Sequence, residues 1–249
     1  MSSRLSIMLL ERFQRPVRGV RVVDKGAIDQ NGGQCAQIIP LRQLNRKDVD
    51  RLLEQLSPNN DLLVTSALSL RERRVFEEVG FSEREALHLL RHDLRSIPES
   101  APIDRLKLRP GRRTDIDSVL EIDRGSFDEF WMLDRDGLQA ARKATPVHRY
   151  TIAVLGSTVV GYAVTGRSVK SSFLQRLGVH PDVRRAGIGS HLVIDSLKWA
   201  RNEGAKSMLV NTQDSNERAV RLYERVGFEL LSEKLKVLER STQPSDLTT

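Results

Sequence analysis

The sequence predicts an α+β fold: a mixed, mostly antiparallel sheet flanked by helices, preceded by a shorter, degenerate half-copy of the same unit. Three observations carry this reading. Short runs of β-branched and aromatic residues alternate irregularly with helical stretches, which is not the strict strand–helix–strand order of a parallel sheet. Gly156-Ser157 joins two such runs as a two-residue hairpin signal, which pairs its strands antiparallel. Val-Gly-Phe closes a strand–helix run twice, at Val79-Gly80-Phe81 and at Val226-Gly227-Phe228.

Taken in order, residues 105–109 form a short strand. A helix follows over 115–124, with Val119, Leu120 and Ile122 apolar, and another over 136–144 ends before Pro146. Strands come at 150–155, 158–166 and 173–179. Helical spacing resumes at Gly189 and stops at Gly204, a C-cap glycine. Residues 208–213 are a strand. In the helix over 217–226, Ala219, Leu222, Tyr223 and Val226 repeat at i, i+3, i+4, i+7. Gly227 ends it, and a last strand covers 228–238.

The repeat extends beyond its closing motif. Leu62-Leu-Val-Thr-Ser66 echoes Met208-Leu-Val-Asn-Thr212, each followed by a helix ending in Val-Gly-Phe. Upstream, Gln37-Ile-Ile-Pro40 matches Leu177-Gly-Val-His-Pro181. Between these landmarks the first copy is shorter, and what it lacks is a glycine loop. The clearest break is Ser96-Ile-Pro-Glu-Ser-Ala-Pro-Ile-Asp104, two prolines among small and polar residues. The expected domains are therefore 1–95, a truncated unit without the loop; 96–104, a linker; 105–240, the complete unit; and 241–249, a disordered polar tail.

The chain has 249 residues, with 40 Lys+Arg against 33 Asp+Glu and a formal net charge of +7. The basic residues are interleaved with acidic ones: Glu77 and Glu78 follow the basic run at 71–74, and Asp115 and Asp117 follow Arg112 and Arg113. Charge so distributed reads as a solvated surface, not a nucleic-acid footprint. Aromatics at 5% also leave few rings for a stacking platform. The lone Cys35 excludes a disulfide framework and fits a reducing, cytoplasmic setting. No apolar run approaches the ~18 residues of a membrane span. His88 and His92 lack the glutamate of a zinc-helix motif, and no metal is assigned.

Chemistry concentrates in two elements. Arg184-Arg-Ala-Gly-Ile-Gly189 lies between a strand and a helix. Its glycines allow a tight turn that presents successive N–H groups, and the helix start and the arginines add positive potential, which suits a diphosphate. Ser190 contributes a hydroxyl in the first turn. The second element runs from Asn216, placed to cap its helix, to Tyr223 on that helix's apolar face.

In this order and spacing, Leu174-Gln-Arg-Leu-Gly-Val-His-Pro181, the Arg184–Gly189 loop, Asn216 and Leu222-Tyr223…Gly227-Phe228 resemble the GNAT superfamily of acetyl-CoA-dependent N-acetyltransferases. The resemblance covers residues 105–240. Within the superfamily it is most similar to the ribosomal-protein N-terminal-alanine acetyltransferases, and its tandem layout resembles mycothiol synthase. It implies that the strand around Leu177 and Val179 splays from the next and pairs with the pantetheine arm of acetyl-CoA. The amides of Arg185, Gly187, Ile188, Gly189 and Ser190 would hold the pyrophosphate, with Arg184 at a position the family fills with Gln or Arg. Asn216 would bond the pantetheine region, and Tyr223 would protonate the departing thiolate. A thiol of pKa ~8.5 is a tolerable leaving group, and a nearby phenol can supply its proton.

The resemblance places the acceptor after the first helix of this domain, where Phe127 and Trp131 stand among Asp123, Phe130 and Asp134. Gln175 on the fourth strand would face it. Asn211 occupies the position where the alanine acetyltransferases carry a glutamate; an amide cannot accept the proton, so the base is unassigned. The function implied is acetyl transfer to an amine, a small molecule or a protein N-terminus, with a second copy of the chain as a further candidate partner. The alternatives are a CoA-sensing or scaffold protein that keeps the site without its chemistry, and a nucleic-acid binder driven by net charge.

Overall fold

The computed structural model describes residues 17–27 and 33–243. Most of the tail expected over 241–249 therefore lies outside the described residues. The chain divides into two compact units, Met1–Leu87 with Glu233–Thr249, and His88–Ser232.

The first unit comprises β1 (Val20–Ala27), β2 (Gln34–Pro40), α1 (Arg46–Leu56), β3 (Leu62–Thr65) and α2 (Leu70–Glu77). It also holds the start of β4 (Ser82–His92) and the end of β10 (Glu229–Ser241). Its strands run β1-β2-β3-β10. β2 and β3 pair in parallel; β1 with β2 and β3 with β10 are antiparallel. In α1, Val49, Leu52, Leu53 and Leu56 share one face by helical spacing. They pack with Ile38, Leu63, Phe76 and Leu238 in the core of this unit.

The second unit comprises the end of β4, β5 (Leu106–Pro110), α3 (Ile116–Arg124), α4 (Arg135–Arg142), β6 (Val147–Leu155), β7 (Thr158–Ser168), β8 (Ser171–Val179), α5 (Ile188–Asn202), β9 (Ser207–Gln213), α6 (Glu217–Arg225) and the start of β10. Its strands run β4-β9-β8-β7-β6-β5. The pairings from β5 to β8 are antiparallel, and β8 with β9 is parallel. One core joins α5, through Leu192, Val193 and Leu197, to Tyr223, Phe228 and the sheet. The other joins Val119 and Ile122 of α3 and Leu138 of α4 to Tyr150, Ile152, Tyr162 and Val164. This is the mixed, mostly antiparallel architecture with flanking helices that the sequence predicts.

Two strands begin in one unit and end in the other. β4, the last strand of the first repeat, carries Leu90 into the core of the second unit, where Leu94 follows it. β10, the last strand of the second repeat, carries Leu238 into the core of the first. Residues 96–104, read above as a linker, lie inside the second unit. Ile97 and Ile103 pack on its core, and Lys198 Nζ lies 2.8 Å from Glu99 Oε2.

Candidate active site

The second unit opens between β8 and β9. The two strands pair only at Ser171–Ser207, Ser172–Met208 and Phe173–Leu209, and beyond these residues no pairing holds them together. A bulge marks the divergence: Val164 pairs with Arg176 but Thr165 with Leu174, so Gln175 is the extra residue. Past the bulge, the His180 N–H donates to Val160 O at 2.9 Å, and Gly178 faces Tyr162. Bonded pairs alternate along an antiparallel ladder. Arg176 and Gly178 therefore spend their backbone groups on β7, while those of Leu177 and Val179 point away from it, toward the opening.

The turn into α5 lies just beyond β8. Arg185 and Gly187 both have left-handed backbone, with φ of 68° and 83°. The conformation suits glycine and costs a non-glycine residue about 1–2 kcal/mol, so Arg185 is held there by its surroundings. Gly187 is the N-cap of α5, and no side chain caps this helix. The first-turn amides of Ile188, Gly189 and Ser190 therefore lack the side-chain acceptor that helix starts commonly have, and they carry the positive end of the dipole. Gly189 is small for a packing reason: a Cβ there would meet Leu222 Cδ2 of α6 at 3.2 Å. Arg184 turns back from the loop. Its Nε donates to Val179 O at 3.4 Å, and its Nη2 to the Gly125 carbonyl. Burial, then the neighbouring Arg218 charge, lowers its pKa.

Across the opening, Asn216 caps α6, its Oδ1 accepting from Ala219 N at 3.1 Å. Tyr223 is only 5% exposed, and its ring lies 5.6 Å from that of Phe228. Burial alone raises the phenol above its ordinary range, so it stays protonated at neutral pH.

The segment after α3, where an acceptor is expected, is organised by Arg176, a residue not singled out above. Arg176 Nε and Nη2 donate to the two carboxylate oxygens of Asp123, each at 2.8 Å, and Nη2 also donates to Trp131 O at 2.7 Å. The guanidinium carbon sits 3.3 Å from the Phe127 ring centroid. Asp123 is 0% exposed and further accepts from Leu133 N at 2.8 Å and from the Tyr162 hydroxyl. Burial, then the Asp123 charge, pushes the Tyr162 phenol far up, which keeps it a donor. Phe127 and Trp131 are thus half-buried and tied to β8, and the Phe127 face already carries a cation. A lone arginine inside an apolar strand was the available signal, because a buried charge requires a partner.

Gln175 projects beside Gly166, where a Cβ would meet its Nε2 at 2.7 Å; its Oε1 is buried without a partner. On β9, Met208, Val210 and Thr212 are buried and Asn211 is exposed. Strand alternation puts Gln213 on the Asn211 face. Gln213 Nε2 reaches Asp128 Oδ2 at 3.5 Å. Among the described residues, no group of three or more His, Cys, Asp or Glu could hold a metal ion. No helix there is long and apolar enough to cross a membrane.

The corresponding place in the first unit is built differently. β2 and β3 pair from Cys35–Leu62 through Ile38–Thr65, and the Ser66 N–H continues to Ile38 O at 2.8 Å. The strands stay together where β8 and β9 part. At the start of α1, Asn45 Oδ1 accepts from Asp48 N at 3.1 Å, and Asp48 Oδ2 accepts from Asn45 N at 3.2 Å. A capping box, with a carboxylate, occupies the end that α5 leaves uncapped.

Residues 116–228 match the model of the Acetyltransferase (GNAT) family. Mycothiol acetyltransferase of Actinosynnema mirum is 27% identical over 155 residues, an alignment covering 57% of this chain and 51% of the relative. The chain therefore spans about half the length of that curated relative. Among solved structures, a GCN5-related N-acetyltransferase from Kribbella flavida superposes with a TM-score of 0.62 at 14% identity, covering 96% of this chain and 95% of that one. A tandem GNAT protein from the clavulanic acid biosynthesis pathway gives 0.61 at 13% identity, covering 96% and 88%. The structural likeness shows the fold, and it extends over both units. The matched segment lies wholly inside the second unit and holds α3, both sides of the opening, the turn into α5, and α6. This part of the second unit is similar to GNAT acetyltransferases.

Proposed function

We propose that the chain is an N-acetyltransferase that binds one acetyl-CoA in its second unit and transfers the acetyl group to an amine by direct attack. The observation that carries this reading is the parting of β8 and β9 next to the uncapped start of α5. Acetyl-CoA is the co-substrate, and the opening suits it. Its pyrophosphate would take the amides of Arg185, Gly187, Ile188, Gly189 and Ser190, while Arg184 stays engaged with Val179 O and the Gly125 carbonyl. Its amide-bearing arm would bond to the outward backbone of Leu177, to the outward N–H of Val179, whose carbonyl already accepts from Arg184, and to Asn216.

On the other side, an amine would reach the thioester past Phe127, Trp131, Gln175 and Asn211. Holding both reactants in one cleft supplies most of the advantage of an uncatalysed-order reaction made intramolecular. A strand N–H directed at the thioester oxygen stabilises the oxyanion. Tyr223, held protonated by its burial, gives its proton to the sulfur as the C–S bond breaks. The likeness to a mycothiol acetyltransferase puts small-molecule amines first in a screen, and protein N-termini second.

Calorimetric titration with acetyl-CoA tests the cofactor half. One site per chain is expected, lost in Gly187→Glu, which adds a negative side chain at a left-handed position of the anion loop. Two sites would show that the first unit binds as well; none would remove the acetyltransferase reading. A second reading, CoA binding without efficient chemistry, draws on the amide of Asn211 where a base is expected. The two part on turnover: thiol release with an amine, falling about 10²-fold or more in Tyr223→Phe while acetyl-CoA binding persists, supports the enzyme.

A further inference from the structure

Direct attack by an amine needs a proton acceptor on the acceptor side, and Asn211 cannot be one. We infer that Asp128 is the general base. This rests on the acetyl-transfer reading above.

The nearby carboxylates differ in what already occupies them. Asp123 is enclosed by Arg176, Tyr162 and Leu133 N. Asp134 caps α4, accepting from Gly137 N at 2.6 Å. Asp214 faces His88 Nε2 at 3.1 Å. Asp128 stands at the head of the 3₁₀ turn Glu129–Trp131 with φ −67° and ψ 157°, the extended conformation of an N-cap. Aspartate at such a position usually accepts a hydrogen bond from the amides of the turn it precedes. Here its side chain makes no capping bond. The carboxylate reaches instead to β9, 3.5 Å from Gln213 Nε2, well past the residues where β9 leaves β8. The backbone carbonyl of the same residue receives Trp131 N at 2.8 Å and Met132 N at 3.1 Å, so the turn holds Asp128 firmly by its main chain. The carboxylate is exposed, as a base that must return its proton to solvent requires.

The amine nitrogen bonds to the thioester carbon, and the Asp128 carboxylate takes the proton that nitrogen loses. The C–S electron pair leaves with sulfur, which takes the Tyr223 proton. Asp128 then releases its proton to solvent and Tyr223 regains one, leaving amide and free CoA thiol.

Thiol release from acetyl-CoA, measured with a short peptide bearing a free N-terminus, a polyamine and an amino sugar as acceptors, tests the assignment. With the best of these acceptors, Asp128→Asn is expected to lower kcat about 10²–10⁴-fold. Acetyl-CoA affinity and melting temperature should stay at wild-type values, and Asp128→Glu should recover part of the rate. Turnover of Asp128→Asn within a few-fold of wild type would overturn the inference and leave the acetyltransferase reading standing. A wild-type protein that turns over none of the acceptors would remove both.

Discussion

Asp123 and Arg176 show how a single charge pair can serve a site without touching the reaction. A carboxylate with no solvent contact needs donors around it, and Asp123 has four. Removing one partner leaves the other charge buried and unpaired, which costs about 3–5 kcal/mol. Arg176→Met should therefore lower unfolding stability in urea by that amount, and adding Asp123→Asn should restore part of it. The pair joins residues 53 apart in the sequence, one on α3 and one on β8, and for that reason it was not legible from either position. Asn216 and Tyr223 were legible, because a cap and an apolar helix face are local patterns. The place of Tyr223 among buried residues and the cap made by Asn216 agree with that reading. Replacing Asn216 with Ala should cost about 1 kcal/mol from the lost cap, apart from any effect on acetyl-CoA affinity.

Helices and strands carry the next level of control. The end of α6 is packed by His92, whose Nδ1 accepts from Leu94 N at 2.9 Å and whose ring lies 5.3 Å from Phe228. A Cβ on Gly227 would meet its Nε2 at 3.0 Å. Burial, opposed by the nearby Asp93 charge and a bond to the Val226 backbone, lowers the pKa of this imidazole below its ordinary 6.5. The folded state thus prefers neutral His92, and the unfolded chain binds the proton first as pH falls. The stabilisation is complete above about pH 6.5 and is lost as pH drops through the folded-state value. Unfolding midpoints measured from pH 7.5 down to pH 5 should fall, and His92→Phe should flatten that slope. Element boundaries in the second unit followed closely from the sequence, the helix over 217–226 appearing as Glu217–Arg225. The parting of β8 and β9 did not, since strand pairing is a long-range property that no window of residues encodes. Only the resemblance to a family anticipated it.

At the scale of the whole molecule, the repeat read from the sequence gives two units with one ordering of strands and helices. It does not reveal that their last strands cross over. A chain starting at residue 96 would keep every element of the proposed site yet lose Leu90, His92 and Leu94 from the second core. Such a fragment should fail to fold, giving no cooperative melting transition and no acetyl-CoA binding, where a self-sufficient second half would retain both.

The crossing also sets an order in time. Thr65 Oγ1, on the third strand, accepts a bond from Leu238 N, 173 residues later. On a ribosome the first unit cannot close until Leu238 has been synthesised. Its core must wait, partly assembled, while the second half is made. Pairing over so long a separation is slow to form and leaves apolar strands open in the meantime. The first unit is thus begun before the second and completed after it, and chaperone dependence during synthesis is the natural consequence.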